Sequence, residues 1–398
     1  MLRLALEIIF ALFALCSAFF YGNGIWSFFA FTQEPVRDES APPFLPVSIL
    51  KPLKGADYET YQSFRSHCLQ NYGEYEIIFG VKDAEDSAVP FVEELIAEFP
   101  NRDIRLALCP ERLALNGKIS NLMQMLPQAR YAHVLVNDSD IKVPPNYLQQ
   151  VMSRFSDPKV GMSTCAYRGL PAHTLGSRLE ALSISTEFMP GVFVARRMEK
   201  DLRFGLGSTL AMSRAALDQV GGFAAVGSYV ADDYELGARI SQAGYKVALA
   251  DTIVETVLPP YSFSQFWKHQ MRWWRTMRSA RPNGYRGLVF TFGFPWAILA
   301  VILARGSWWS WTLFAVVAVM RYWVALLIGW KFLQDRTVLQ YPWLVPVWDF
   351  VGLGIWVWSY AGKTVLWRGE RFELERGKIK SNHRDTEAQR NSKVKIQN

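Results

Sequence analysis

Two acidic clusters carry the clearest chemical signal in this sequence. Asn137-Asp138-Ser139-Asp140 closes the apolar run Ala132–Asn137 with two carboxylates one residue apart, so the following loop can turn both toward one ion. Hard divalent cations take oxygen ligands, and Mg2+ commonly binds one or two protein carboxylates while water and substrate phosphates complete its octahedron. Asp138 and Asp140 are therefore candidate ligands for Mg2+ or Mn2+ beside a diphosphate. The competing reading is an Asx-turn at a strand end, ahead of Pro144-Pro145. The second cluster, Ala231-Asp232-Asp233-Tyr234-Glu235, opens a helix predicted to run to Ala243. Acids at such a position cap free N–H groups and favour the helix dipole. Alternatively, one carboxylate faces an acceptor hydroxyl and takes its proton, as a general base within hydrogen-bonding reach does.

A third stretch, 263–281, reads as a helix on which Lys268, Arg272, Arg275, Arg278 and Arg281 recur every three or four residues. Phe263, Phe266, Trp267, Met271 and Trp274 fill much of the remainder, which suits a basic amphipathic helix at the headgroup boundary of a membrane. It serves as an anchor, a phosphate contact, or both. Asn116-Gly117-Lys118 begins another helix, whose N-terminus and lysine can hold an anionic group. Gly205, Gly207, Gly221 and Gly222 permit close backbone approach. A phosphate-binding G-x-x-x-x-G-K-[ST] loop, a dinucleotide glycine fingerprint and H-E-x-x-H are all absent from the sequence. The five histidines are scattered, which argues against histidine-based metal catalysis.

The elements that must position these residues alternate. Val47–Lys51, Tyr75–Lys82, Ile104–Leu108 and Ala132–Asn137 read as strands, and Tyr58–Gln70, Val89–Phe99 and Lys118–Gln128 as intervening helices. Two of the strands run directly into acids, Asp83 and Asp138. In open α/β sheets, ligands sit beyond the carboxyl ends of strands, near the point where strand order reverses.

The ends of the chain are apolar. Leu4–Phe31 is long enough to cross a hydrocarbon core, which needs about 20 residues; an uncleaved anchor over residues 1–32 is expected rather than a signal peptide. A proline-rich linker, 33–45, leads to a catalytic region, 46–260, and the amphipathic helix, 261–285. Membrane segments are expected over 286–367, near Leu288–Ala304, Trp308–Trp330 and Tyr341–Trp367, the last weakened by Pro342, Pro346 and Asp349. Two of these read as spans, and one as interfacial or re-entrant. From Lys363 to Asn398 there are ten Lys/Arg against five Asp/Glu, so residues 368–398 read as a basic polar tail. The net charge of +7 suits an anionic membrane surface or a diphosphate better than nucleic acid. Cys16, Cys68, Cys109 and Cys165 show neither paired nor zinc-type spacing, pointing to a reducing cytosolic side.

Lys51-Pro52-Leu53-Lys54-Gly55, Lys82-Asp83, residues 116–122 (Asn-Gly-Lys-Ile-Ser-Asn-Leu), Asp138-Ser139-Asp140, Asp232-Asp233-Tyr234 and the His269-x-x-Arg272-Trp273 motif together resemble the ceramide glucosyltransferase family in order and spacing. Trp367-Arg368-Gly369 is similar to that family's C-terminal end. Tyr167-Arg168-Gly169-Leu170-Pro171 and His269 bring the chain nearest to the family's bacterial hopanoid-biosynthesis branch. The resemblance implies an α/β GT-A fold, a UDP-sugar donor, a divalent cation and inversion at the anomeric carbon. It implies donor contacts at Lys51, Asp83, Lys118, Asn121, Asp138 and Asp140, with Asp83 on the nucleoside and Asp138 and Asp140 on the metal and diphosphate. Asp233 is then the base, and His269, Arg272 and Trp273 close the site; the family usually has Gln or Arg where this chain has His269. The acceptor becomes a membrane lipid such as bacteriohopanetetrol, the sugar N-acetylglucosamine, and the setting a bacterial inner membrane with the catalytic region cytoplasmic. A ceramide acceptor, a processive polysaccharide synthase and a non-catalytic membrane scaffold are the other readings; the few apolar segments after residue 285 disfavour a polymer channel, and the full set of acids disfavours a scaffold.

Overall fold

The structure is a computed structural model that describes residues 1–33, 44–367 and 370–380. Helix α1 (Leu2–Thr32) leaves Leu4, Ile8, Leu12, Leu15, Phe19 and Trp26 exposed and buries mainly small positions such as Ala14, Ser17 and Gly24, along with Tyr21 and Phe28. Large apolar side chains outward and small ones inward is the arrangement of a helix whose surroundings are hydrocarbon.

The expected alternation follows: β1 (Val47–Pro52), α2 (Thr60–Cys68), β2 (Tyr75–Val81), α3 (Val89–Glu98), β3 (Asp103–Leu108), α4 (Gly117–Met125) and β4 (His133–Val136). Then come β5 (Ile141–Lys142), α5 (Tyr147–Met152), β6 (Val160–Pro171), α6 (Leu175–Ser183), α7 (Met189–Met198), β7 (Leu210–Ser213), α8 (Arg214–Gln219), α9 (Asp232–Gln242) and β8 (Lys246–Leu258). The strands form one mixed sheet in the order β3-β2-β1-β4-β7-β6-β8-β5. The first four neighbours run parallel, and β7 pairs antiparallel with β4 and β6. Strands β1 and β2 are buried on both faces, hence the near-continuous apolar runs Val47–Leu50 and Ile77–Phe79, broken only by Ser48. Strand order reverses between β1 and β4. Lys51 and Asp138 stand at the carboxyl ends of these two strands, where a ligand crevice is expected.

Helix α10 (Phe263–Ala280) starts at a capping box of Ser262 and Gln265. Helix α11 (Pro282–Gly287) continues as a single turn to Thr291 and meets α12 (Gly293–Leu303) at a bend of 54°, the geometry of a broken span or a re-entrant loop. Helix α13 (Trp308–Val324) runs on as a wider helical stretch to Phe332. Among the described residues two helices, Leu2–Thr32 and Trp308–Phe332, are long and apolar enough to cross a membrane, as in a membrane protein. After α14 (Thr337–Gln340) comes α15 (Leu344–Ser359), and here the structure corrects the expected third segment. That segment stops at Ser359, and Thr364–Trp367 is a strand, β9, paired with β10 (Glu370–Glu375), which pairs with β11 (Lys378–Ile379). Residues 370–380 are therefore sheet, not polar tail. Pro35, Pro42 and Pro43 of the linker, Arg368-Gly369 and residues 381–398 lie outside the described residues.

Asp349, which weakens the third segment as a span, is buried on α15 against Arg321 of α13, with Nε 3.0 Å from Oδ1. Arg321 also donates to the Thr186 carbonyl at 2.8 Å, and Tyr21 of α1 donates to the Thr291 carbonyl at 2.7 Å. Polar groups placed among apolar helices thus find one another, as a buried charge requires.

Candidate active site

The acid loop after β4 is fixed from below. Asn137 is buried and donates to the Ser208 carbonyl (2.6 Å) and the Tyr147 hydroxyl (2.9 Å), while its Oδ1 faces His67 Nε2 at 3.2 Å. Lys51, fully buried at the end of β1, donates to the Asp138 carbonyl at 3.1 Å. Burial pushes its ammonium down to about 7, although the Asp140 and Asp138 charges act the other way. Asn121 on α4 donates to the carbonyls of Leu53 (3.4 Å) and Gly80 (3.3 Å), tying the ends of β1 and β2 together. Two expected donor contacts, Lys51 and Asn121, are thus engaged with protein carbonyls beneath the crevice and act as supports.

Above these supports the acids converge. Lys118, in the first turn of α4, places Nζ 2.7 Å from Asp138 Oδ1 and 3.2 Å from Asp232 Oδ2. Burial disfavours its charge, but Asp138 and Asp232 outweigh it and hold the ammonium well above its ordinary value. Asn116 caps α4 and turns its amide to the Tyr229 carbonyl (2.8 Å) and Asp232 Oδ1 (3.2 Å). Asp232 is therefore the fixed member of its pair. Asp233 is pushed up to about 6 by burial and the Asp232 charge, opposed by Lys118. Gly207 passes between the two acid clusters: a methyl there would stand 2.9 Å from Asp233 Oδ2 and 3.3 Å from Asp138 Oδ2.

Asp140 accepts from the Thr256 hydroxyl of β8 at 2.8 Å, and burial and the neighbouring Asp138 charge push it up to about 6. Ser139, between the two acids, donates to Asp57 Oδ2 at 2.7 Å. Among the described residues no three His, Cys, Asp or Glu side chains form a metal cage. The donor set of Asp138 and Asp140 fits a small hard cation that completes its shell with water or phosphate oxygens. Asp83 stays apart from this group: it is exposed, and its Oδ1 accepts from the Glu85 amide at 3.0 Å, closing its own turn.

Helix α10 brings the last motif alongside. His269 sits between Glu180 Oε1 (3.1 Å from Nε2) and the Tyr261 hydroxyl (3.3 Å from Nδ1). The Trp273 ring lies 6.1 Å from His269 and 6.1 Å from Phe188. Arg272 is half-buried, and its charge is felt at Tyr261, as is that of Asp140. The remaining basic face does not point to headgroups as expected. Arg275 donates to the Thr364 carbonyl at 2.7 Å, Arg278 to the carbonyls of Ser359 and Gly362, and Arg281 pairs with Glu199. Only Lys268 of that face is exposed. Arg275 holds β9 directly and Arg278 the loop that leads into it; the β9–β11 sheet packs Val365, Phe372, Leu374 and Ile379 on Val230 and Leu115. Those two residues precede Asp232 and Asn116, so the sheet braces both loops that present the site.

A sequence model of glycosyl transferase family 21 matches residues 6–380. The chain belongs to that family. Ceramide glucosyltransferase 3 of Caenorhabditis elegans is 28% identical over 239 residues, covering 60% of this chain and 51% of that protein. Ceramide glucosyltransferase 1 of the same organism is 24% identical over 351 residues, covering 84% and 73%. The chain therefore spans about half the length of the first of these relatives. The mannosyltransferase PcManGT of Pyrobaculum calidifontis, solved with GDP-Man and Mn2+, superimposes with a TM-score of 0.50 at 17% identity, covering 86% of this chain and 98% of that one. That likeness is one of fold, and the fold of this family 21 chain is GT-A-like.

Asp57, Tyr167, Glu180 and Tyr261 also belong to the neighbourhood of the site, and sequence reasoning did not single them out as site residues. Asp57 lies two residues past the Lys51–Gly55 stretch, a faint signal. Glu180 lies in an ordinary helical run, Arg178-Leu179-Glu180-Ala181-Leu182, and carries none. The segment 167–171 divides: Tyr167 faces the acids, whereas Arg168 pairs with Glu255 (2.6 Å) and donates to the Leu333 carbonyl (2.7 Å), linking the sheet to the end of the α13 stretch.

Proposed function

We propose that this family 21 member transfers a sugar, with inversion, from a nucleoside diphosphate donor to a hydroxyl of a membrane lipid. The observation that carries the reading is the meeting of Asp233 and Asp138 across Gly207, with Lys118 bridging Asp138 to Asp232. Asp233 takes the proton of the acceptor hydroxyl as its oxygen bonds to the anomeric carbon and the bond from that carbon to the diphosphate oxygen breaks. A carboxyl near 6 suits this role, being ionised at neutral pH yet basic enough to accept a proton. Lys118 presents positive charge on the donor side, where the departing diphosphate gathers negative charge. A divalent cation held by Asp138 and Asp140 would supply further neutralisation of that diphosphate. In this reading Asp83, at the exposed end of β2, contacts the nucleoside, and His269, Arg272 and Trp273 close the acceptor side.

Within this reading we assign UDP-N-acetylglucosamine as donor and a hopanoid polyol such as bacteriohopanetetrol as acceptor, on the strength of residues 167–171 and His269. The catalytic region then lies on the cytoplasmic face of a bacterial inner membrane. Ceramide as acceptor is the second reading, favoured by the names of the C. elegans relatives. Membranes containing the protein, incubated with UDP-glucose or UDP-N-acetylglucosamine and with ceramide or bacteriohopanetetrol, should give a lipid product whose mass identifies sugar and acceptor. A polymer ladder, or no sugar-bearing lipid from any combination, contradicts the proposal.

A further inference from the structure

We propose that Glu180, oriented by His269, recognises a hydrogen-bond donor on the acceptor lipid next to the hydroxyl that receives the sugar. The inference rests on the glycosyl-transfer reading above and adds a specificity determinant to it. Glu180 stands on α6 with a side chain only 3% exposed, and its Oε1 lies 3.1 Å from His269 Nε2. Its second oxygen, Oε2, is buried and has no hydrogen-bond partner among the described residues. An ionised carboxylate accepts at both oxygens, and buried polar atoms in native proteins nearly always have partners. His269 does not supply one: its Nε2 lies against Oε1 and its Nδ1 faces the Tyr261 hydroxyl, 3.3 Å away, so both ring nitrogens are engaged elsewhere.

The position of Glu180 indicates what would fill the gap. The Tyr261 hydroxyl is affected by the charges of Glu180 and Asp140, and that of Tyr167 by Asp233, Glu180, Asp140 and Asp138. Both phenols thus lie near Glu180 and near carboxylates of the reacting centre. On its other flank the site is aromatic, with Tyr167 5.6 Å from Phe188, and Phe188 and His269 each 6.1 Å from Trp273. A molecule with its reacting hydroxyl at Asp233 and an alkyl body against Phe188 and Trp273 would bring a polar group further along its headgroup to Glu180. That group must donate a hydrogen bond and carry no negative charge. A second hydroxyl of a polyol and the N–H of an amide both qualify.

Glu180→Gln isolates the interaction, because it keeps an oxygen for His269 and turns the other acceptor into an NH2 that only donates. The full chain in lipid nanodiscs is assayed with ceramide, N-methyl ceramide, 3-O-methyl ceramide, bacteriohopanetetrol and its mono-O-methyl ethers. The unaltered protein should discriminate about tenfold or more against the methylated form that lacks the recognised donor, since a site built around a polar group rejects analogues without it. Selective loss with N-methyl ceramide identifies an amide, and selective loss with an O-methyl ether a hydroxyl. Glu180→Gln should raise the acceptor KM about tenfold, abolish the discrimination and leave the UDP-sugar KM within about threefold. Unaltered protein that uses methylated and parent acceptors equally overturns the proposal whether or not the variant folds. So does a variant that keeps the discrimination, or loses donor and acceptor affinity together with thermal stability. Failure of the unaltered protein to glycosylate any acceptor is a separate result that overturns the glycosyl-transfer reading itself.

Discussion

Gly207→Ala should cripple the enzyme while barely disturbing its fold. The backbone φ of Gly207 is not in the left-handed region, so alanine is conformationally acceptable there. The added methyl would lie 2.9 Å from Asp233 Oδ2 and 3.3 Å from Asp138 Oδ2, against an ordinary C···O contact of about 3.3–3.6 Å. Relief requires the Asp233 carboxylate to retreat by about half an ångström. Misplacement by 1 Å costs about 100-fold in rate, so a loss of about tenfold is expected, or about 1.4 kcal/mol in the barrier. Gly237→Ala is the control for fold: its methyl would come within 2.1 Å of the Gly205 nitrogen and 2.5 Å of the Phe204 carbonyl carbon, both backbone atoms with little freedom to move. That variant should lose about 3 kcal/mol or more of stability, or fail to fold. Sugar transfer to lipid and thermal unfolding are measured on both. Full activity in Gly207→Ala would refute the placement of the reacting atoms between Asp138 and Asp233.

With Asp233 raised to about 6, its protonated, inactive form gains as pH falls, so kcat/KM should drop about tenfold per pH unit below 6 and level off above it; a flat profile from pH 7 to 5 contradicts the role of base. Arg278→Ala removes charged hydrogen bonds to the Ser359 and Gly362 carbonyls and should cost about 1.5–3 kcal/mol, seen as a lower melting temperature in detergent; an unchanged melting curve would return Arg278 to the membrane surface. Arg321→Ala strands Asp349 and should cost about 3–5 kcal/mol, with much of the loss recovered in Arg321→Met/Asp349→Leu; equal stability of the single variant and the parent would contradict the buried pair.

Strands β1, β2 and β4 were legible because each is a largely apolar run ending in a polar turn, and Asp83 and Asp138 stand at such ends. The rest depended on tertiary partners. The arginines at 275, 278 and 281 recur with helical spacing whether they face headgroups or carbonyls, and only the packing of β9–β11 decides between them. Strand β9 follows an apolar helix without a change in composition, so Thr364–Trp367 reads as its continuation. Asp349 weakens a span when read alone, yet is neutralised by Arg321, 28 residues earlier. The motif named Lys51 and Asn121 as donor contacts, but a motif does not say whether a side chain faces the crevice or supports it. Glu180 carried no motif at all, and only its burial beside His269 brings it to notice.

The central claim is that Asp233 accepts the acceptor's proton, and Asp233→Asn tests it most directly. An amide keeps the shape and the hydrogen bonding of the carboxylate but does not take up a proton at neutral pH, and Asn and Asp cap helices about equally well. UDP-sugar affinity and lipid glycosylation are measured on Asp233→Asn, with Asp232→Asn as the comparison. Donor binding near the parental value with transfer abolished, and a milder loss in Asp232→Asn, is the predicted result. An Asp233→Asn protein that glycosylates lipid at the parental rate would contradict the account and leave Asp233 a helix cap.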